Sequence, residues 1–251
     1  MVAIRAKLTE TNALLDEKNR RLDDFCTTIA HDIRGPLAAL MLKVEYILDA
    51  YDGELDSKCA GLLQRSHSSC QRLVEMVQGM YEYAKIGSRA VTFFELSLTD
   101  LVHEVLYDLS YDDSLDVQAG VGELPRVFGN PGLLRRVFLN LVNNAVKYND
   151  KPEKLINIGC LGYEDRPIGR FARIFVEDNG PGIPEHELKG IFGMFRRGAS
   201  SRKESDGLGI GLAVVERILE LHFGRIDVES TPGRGTRFIL SLPVERVELV
   251  T

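Results

Sequence analysis

The sequence is poor in cysteine, with four in 251 residues, and Cys26, Cys59, Cys70 and Cys160 are scattered without a CxxC pair or histidines at ligand spacing. That speaks against a disulfide framework and a zinc site, and leaves reduced thiols in a cytoplasmic protein as the simplest reading. Long apolar runs are also missing. Nothing approaches the roughly 20 residues that cross a bilayer, and the N-terminus has no apolar stretch of signal-peptide type, so a soluble chain is expected. Nor is there an excess of positive charge. Lys and Arg number 31 against 37 Asp and Glu, a net charge of -6, which argues against coating nucleic acid or an anionic membrane. Nucleic acid is therefore not an expected partner. What is present is a hydrophobic content of 44%, enough for one ordinary domain plus a smaller one and too much for wholesale disorder.

From Ile4 through Leu15, Leu22, Ile29, Ile33 and Leu40 to Ile47, apolar residues recur mostly on alternating steps of three and four, a coiled-coil seam. Residues 1–23, highly charged between the seam positions, read as a solvated helical linker to something upstream. Between Phe25 and Leu37 the seam shifts phase, and Pro36 lies in the same stretch, so the helix is expected to bend there. YDGELD, from Tyr51 to Asp56, reads as a turn, and a second amphipathic helix is predicted from about Ser57 to Ile86. Two long helices on a short loop bury too little by themselves, which predicts a homodimer closing them into a four-helix bundle. Past Gly87 the pattern changes to mixed strands and helices, so residues 24–88 and 89–251 read as separate domains. The second is predicted to hold strands in VTFFEL, near LDVQA and RVF, and in INIGCL and RIFVED. Its helices are expected from Thr99, from Asn130 to Tyr148 and from about Gly211 to His222, with a final hairpin of RIDVES and TRFILSL joined by TPGRG.

Asn130 and Pro131 open the middle helix as N-cap and first-turn residue. Its apolar stripe is Leu134, Phe138, Leu141, Ala145 and Tyr148; beside it runs Arg136, Asn140, Asn144 and Lys147. Such a second stripe is ordinarily a wet face, yet asparagine is a poor helix former, and two amides and an ammonium in line can hold a hydrated divalent cation and the phosphates it bridges. In FARIFVEDNGPGIP, Ala172, Ile174 and Val176 share one strand face and Asp178 emerges on the same side. Gly180 and Gly182 lack a Cβ, so backbone can approach a flat ring whose exocyclic amine Asp178 would accept; the same segment could equally be a plain turn. GLGIGL, from Gly207 to Leu212, opens a helix whose free amides make an anion site, although the spacing is not that of a dinucleotide fingerprint. GMFRRGASSRKESD before it is polar and basic, suited to covering a nucleotide and equally to a surface loop.

His31 lies off the seam in TTIAHDIRGPL, where Pro36 cannot donate to the carbonyl of Asp32. Neutral imidazole is a competent nucleophile near pH 7, and a carboxylate holding its Nδ1 proton raises the basicity of Nε2. Most exposed histidines are nonetheless mere surface residues, and whether Asp32 reaches its neighbour is a geometric question.

In order and spacing these pieces resemble the sensor histidine kinase family: FCTTIAHDIRGPLAAL its phosphoacceptor box, NLVNNAVKY its asparagine box, DNGPGIP and GLGIGL its two glycine boxes, IFGMF its phenylalanine box, and PGRGTRF a further glycine turn. The resemblance implies an α-helical hairpin in a dimeric four-helix bundle followed by an α/β two-layer sandwich of the Bergerat ATP-binding type. It implies His31 as phosphoacceptor, Asp32 as the acid/base beside it, Asn140 as Mg²⁺ ligand, Asn144 and Lys147 near metal and phosphates, and Tyr148 lining the pocket. Asp178 would take the adenine amine, while Gly180, Gly182, Gly207, Gly209 and Gly211 shape pocket and lid, and Phe192, Phe195 and Arg197 belong to the lid's hinge and its γ-phosphate side. ATP and Mg²⁺ are the implied cofactors. The implied partners are a second copy of the chain, a response regulator receiver domain that takes the phosphoryl group on an aspartate, and a sensory domain upstream. Gly35 stands where relatives that also dephosphorylate their partner carry Thr or Asn, which puts phosphatase activity in doubt. The alternative function is a degenerate nucleotide-binding scaffold, dimeric but without kinase activity.

Overall fold

The computed structural model describes residues 17, 28, 32–86, 91–109, 117–196 and 209–247. Apart from Glu17, the linker reading of residues 1–23 lies outside these, as do His31, Arg197 and Gly207. The chain divides into two compact units, Met1–Ala90 and Val91–Thr251.

In the first unit, α1 (residues 32–50) is continuous across Pro36, so whatever bend the proline imposes does not end the helix. A turn through Gly53, at φ 79°, leads to Asp56, whose Oδ1 accepts the Cys59 N–H at 2.8 Å and caps α2 (Ser57–Lys85). His67 Nε2 meets Glu45 Oε1 at 2.7 Å and Arg34 donates to Gln78, tying the helices into an antiparallel hairpin. Leucines that complete the apolar stripes stay open within one chain: Leu40 is 49% exposed and Leu62 52%.

The second unit contains β1 (Phe94–Ser97), α3 (Leu98–Leu109), β2 (Val117–Val121), β3 (Arg126–Gly129), α4 (Pro131–Lys147), β4 (Lys154–Arg166), β5 (Gly169–Asp178), α5 (Glu185–Leu188), α6 (Gly211–Leu221), β6 (Arg225–Thr231) and β7 (Gly235–Pro243). Five strands form a mixed sheet in the order β2-β4-β5-β7-β6, with β2 parallel to β4 and every other pair antiparallel; β1 and β3 form a separate antiparallel ribbon. One sheet face carries Ile156, Ile158, Ala172, Ile174, Val176, Leu240 and Leu242, all buried, and α4 and α6 lie on it. α4 buries Leu134, Phe138, Leu141 and Ala145 of the stripe expected from spacing, together with Val137 and Val142, whereas Tyr148, expected in the same stripe, is the C-cap residue and is 38% exposed. A fully buried side chain such as Phe138 contributes on the order of 1.5–3 kcal/mol.

Two elements differ from expectation. β4 runs on to Arg166 because a bulge between Cys160 and Gly162 shifts the register, so alternation changes phase midway and the second half hides its period. α5 is a single turn after Pro184, too short to show a helical period.

Candidate functional site

Alternation along β5 that buries Ala172, Ile174 and Val176 brings Asp178 out on the helix side at the strand's end. Its cross-strand partners are Ile156 and Thr236. Asp178 Oδ1 accepts the Gly180 N–H at 2.8 Å, and the Thr236 N–H also donates to the carboxylate. Burial, the largest influence, pushes this carboxyl above its ordinary range; the two N–H donors pull it down, and neighbouring Glu177 adds a further upward push. A carboxylate oriented by two backbone donors keeps lone pairs for another, the complement of an exocyclic amine.

Glycines bring backbone close around this group. Gly180 is buried, and a Cβ there would stand 2.8 Å from Asp178 Oδ1 and 3.5 Å from the Asn149 Cα. Gly182 (φ 72°) and Gly235 (φ 117°) admit no side chain, since a Cβ would lie 2.3 Å from the Thr231 oxygen and 1.9 Å from the Asp178 carbonyl oxygen respectively. The Gly233 N–H donates to Pro181 O at 2.7 Å and the Ile183 N–H to Ser230 Oγ at 2.8 Å, clasping the DNGPGIP loop to the β6–β7 turn.

Asn140 and Asn144 are half-buried one turn apart on α4. Asn140 Nδ2 donates to Arg136 O at 2.9 Å, while its Oδ1 stands 2.8 Å from the place a Gly211 Cβ would take. Gly211 opens α6, whose N-cap residue Ile210 makes no side-chain cap hydrogen bond, so among the described residues no cap side chain takes the first amides of α6, which start beside an amide oxygen of α4. At the other end of this antiparallel pair His222 accepts the Asn130 N–H on Nε2 at 3.0 Å and donates from Nδ1 to Ile218 O at 2.7 Å. Burial pushes the His222 imidazole below its ordinary value, with the Ile218 hydrogen bond opposing.

α4 thus links the two halves of the site. Asn140 meets the start of α6, and Asn149, just past the helix, packs against Gly180. From Asn140 to Lys147, the last helical residue, seven steps at 1.5 Å span about 10 Å. Lys147 and Tyr148 are exposed at the end of α4, with Lys147 Nζ 5.8 Å from the Tyr148 ring centroid. Phe192 is half-buried; the Phe195 N–H donates to Gly209 O at 3.0 Å, and both residues hold positive φ, 62° and 68°. Asp32 is exposed on α1.

Asn149 and Thr236, 6% and 7% exposed, were not singled out by sequence. Thr236 stands in PGRGTRF, but only the pairing of β5 with β7 sets it opposite Asp178. A shallow hollow of about 580 Å³ lies on the other sheet face, lined by Gly120, Asn157, Gly159, Phe175 and Glu177 among others. Phe175 and Glu177 alternate with Val176 and Asp178, so it is separate from this site.

Sheet, helix start without a side-chain cap and half-buried carboxylate together define an ATP-binding domain of the Bergerat type. Two family models match the chain: His Kinase A (phospho-acceptor) domain over residues 21–89, and Histidine kinase-, DNA gyrase B-, and HSP90-like ATPase over residues 129–246. The chain belongs to the sensor histidine kinase family. The adaptive-response sensory kinase SasA of a Synechococcus species is 32% identical over 252 residues, 98% of this chain and 64% of its own length. Cyanobacterial phytochrome B of a Nostoc species is 30% identical over 238 residues, 94% of this chain and 31% of its own. This chain therefore spans from under a third to under two thirds of these curated relatives. Among solved structures, the mycobacterial sensor histidine kinase MprB is 26% identical with a TM-score of 0.51, covering 61% of this chain and 97% of its own. Full-length ShkA in complex with AMPPNP, 22% identical, shares the fold with a TM-score of 0.61 over 90% of this chain and 47% of its own. No helix among the described residues is long and apolar enough to cross a membrane.

Proposed function

We propose that this chain is the catalytic core of a sensor histidine kinase that phosphorylates His31 from Mg·ATP and passes the phosphoryl group to an aspartate of a receiver domain. The observation that carries this reading is the polar face of α4, with a half-buried carboxylate suited to the adenine amine at the end of β5 and a helix start without a side-chain cap, suited to phosphate, beside Asn140. Residues 1–23 act as a helical linker, 24–88 as dimerisation and phosphotransfer domain, and 89–251 as ATP-binding domain. A residue set of amide oxygens, backbone N–H groups and an ammonium fits a magnesium-bound triphosphate: Asn140 would hold the metal, with Asn144 and Lys147 at the phosphates. Bound there, Mg²⁺ supplies charge neutralisation for the phosphoryl oxygens.

His31 Nε2 uses its lone pair to form a bond to the γ-phosphorus as the bond to the β,γ-bridging oxygen breaks and ADP leaves. Asp32 holds the Nδ1 proton of His31. A receiver aspartate oxygen then bonds to phosphorus as the P–N bond breaks, giving an acyl phosphate and restoring the imidazole. Gly35 offers no side chain to orient a water, so hydrolysis of the receiver phosphate is not assigned to this chain. His31→Gln is expected to abolish acid-labile ³²P labelling from ATP while nucleotide binding by calorimetry persists. Labelling that survives the change places the acceptor elsewhere, and binding without labelling in the wild type favours the scaffold alternative.

A further inference from the structure

Asn149 is a buried polar residue to which the nucleotide reading gives no contact with the ligand. Its Nδ2 donates to Asn179 Oδ1 at 2.6 Å and its Oδ1 accepts the Lys151 N–H at 3.0 Å, so both ends of the amide are engaged. Asn179 in turn accepts the Leu155 N–H at 3.0 Å on the same Oδ1 and donates from Nδ2 to Glu153 O at 3.0 Å. Asn179 immediately follows Asp178, and Gly180, which follows Asn179, supplies an N–H to the Asp178 carboxylate. The Asn149 Cγ lies 3.6 Å from the Gly180 Cβ position, in the same spot that Asp178 Oδ1 approaches to 2.8 Å. The amide pair therefore ties the loop after α4 and the start of β4 to the turn that aims the carboxylate.

We infer that Asn149, acting through Asn179, is a positioning residue for purine discrimination, holding the Asp178–Gly180 turn so that the carboxylate meets an exocyclic amine and turns away a base with a carbonyl there. This rests on the adenine reading of Asp178. A hydrogen-bonded polar site rejects a ligand that lacks the matching group more strongly than an apolar pocket rejects an extra one. It does so only while the acceptor is held in place, because a swivelling carboxylate can rotate away from the opposing carbonyl.

The test uses the full chain with excess Mg²⁺ and compares calorimetric affinities for ATP and inosine triphosphate, which has a carbonyl in place of the amine. The wild type should prefer ATP by about tenfold or more, the range of a hydrogen bond to a charged group. Asn149→Ala should lower ATP affinity with little change for inosine triphosphate, bringing the two to within about threefold. Asn149→Asp is nearly isosteric, still accepts from Lys151, and faces the Asn179 oxygen with a second acceptor, so it should lose discrimination likewise. Parallel loss of both affinities in the variants, or an unchanged ratio in both, overturns the inference while leaving the adenine reading intact. A wild type without preference overturns the adenine reading and this inference with it.

Discussion

Asp178 shows how one residue carries opposed demands. Its carboxyl is held above its ordinary value of 3.8 chiefly by burial, so keeping it ionised in the folded chain has a cost that the unfolded chain escapes. That cost diminishes as pH falls through the folded value, the opposite of a paired carboxylate. Asp178→Asn, which keeps an oxygen for the Gly180 N–H, is therefore expected to raise the melting temperature of the nucleotide-free chain at neutral pH. The same change should weaken ATP binding by about tenfold or more; calorimetry and thermal melts check both, and a lower melting temperature would contradict the burial argument. The place of Asp178 at a strand end was readable because period-two alternation through Ala172, Ile174 and Val176 extends to it. Asn149 was not readable, because its significance comes from an amide partner thirty residues along the chain.

The contact between α4 and α6 illustrates the scale of elements. Neutral His222 bonds the N-cap residue of α4 with one nitrogen and the last turn of α6 with the other, while Phe93 packs edge-on 4.9 Å from its ring. Its pKa is depressed, first by burial, so the stabilisation is present above the unfolded value of about 6.5 and is lost as pH falls from there through the folded value. Protonated Nε2 would also place a proton against the Asn130 N–H. Melting temperature should therefore drop as pH is lowered from 7.5 to 5.5, and His222→Gln should flatten that dependence while lowering stability at pH 7.5. Equal slopes for the two proteins would exclude the latch. The start of α4 was legible because its cap has a side-chain mechanism, Asn130 followed by Pro131, whereas the capping by Asp56 was read only as the end of a turn. The length of β4 was not, because the bulge beside Leu161 breaks the only period that marks a strand.

On the scale of the whole molecule, the unit Val91–Thr251 has a core of its own, whereas among the described residues α2 buries none of its side chains. Leu62 and Leu73, 52% and 46% exposed in one chain, are the surface a second hairpin would cover. The full chain is expected to sediment at twice its monomer mass, and Leu62→Glu with Leu73→Glu to sediment as a monomer that still binds ATP; a wild-type monomer at micromolar concentration would defeat the bundle. The two-part layout was legible in the switch from a helical seam to mixed periods, since each period reflects a different way of burying surface. A last consequence follows from the Phe195 N–H bond to Gly209 O, just ahead of α6. Both residues hold a left-handed backbone, and a Cβ at Gly209 would stand 2.3 Å from the Arg196 carbonyl oxygen, so exchanging Gly209 for any L residue would strain this junction and clash with it.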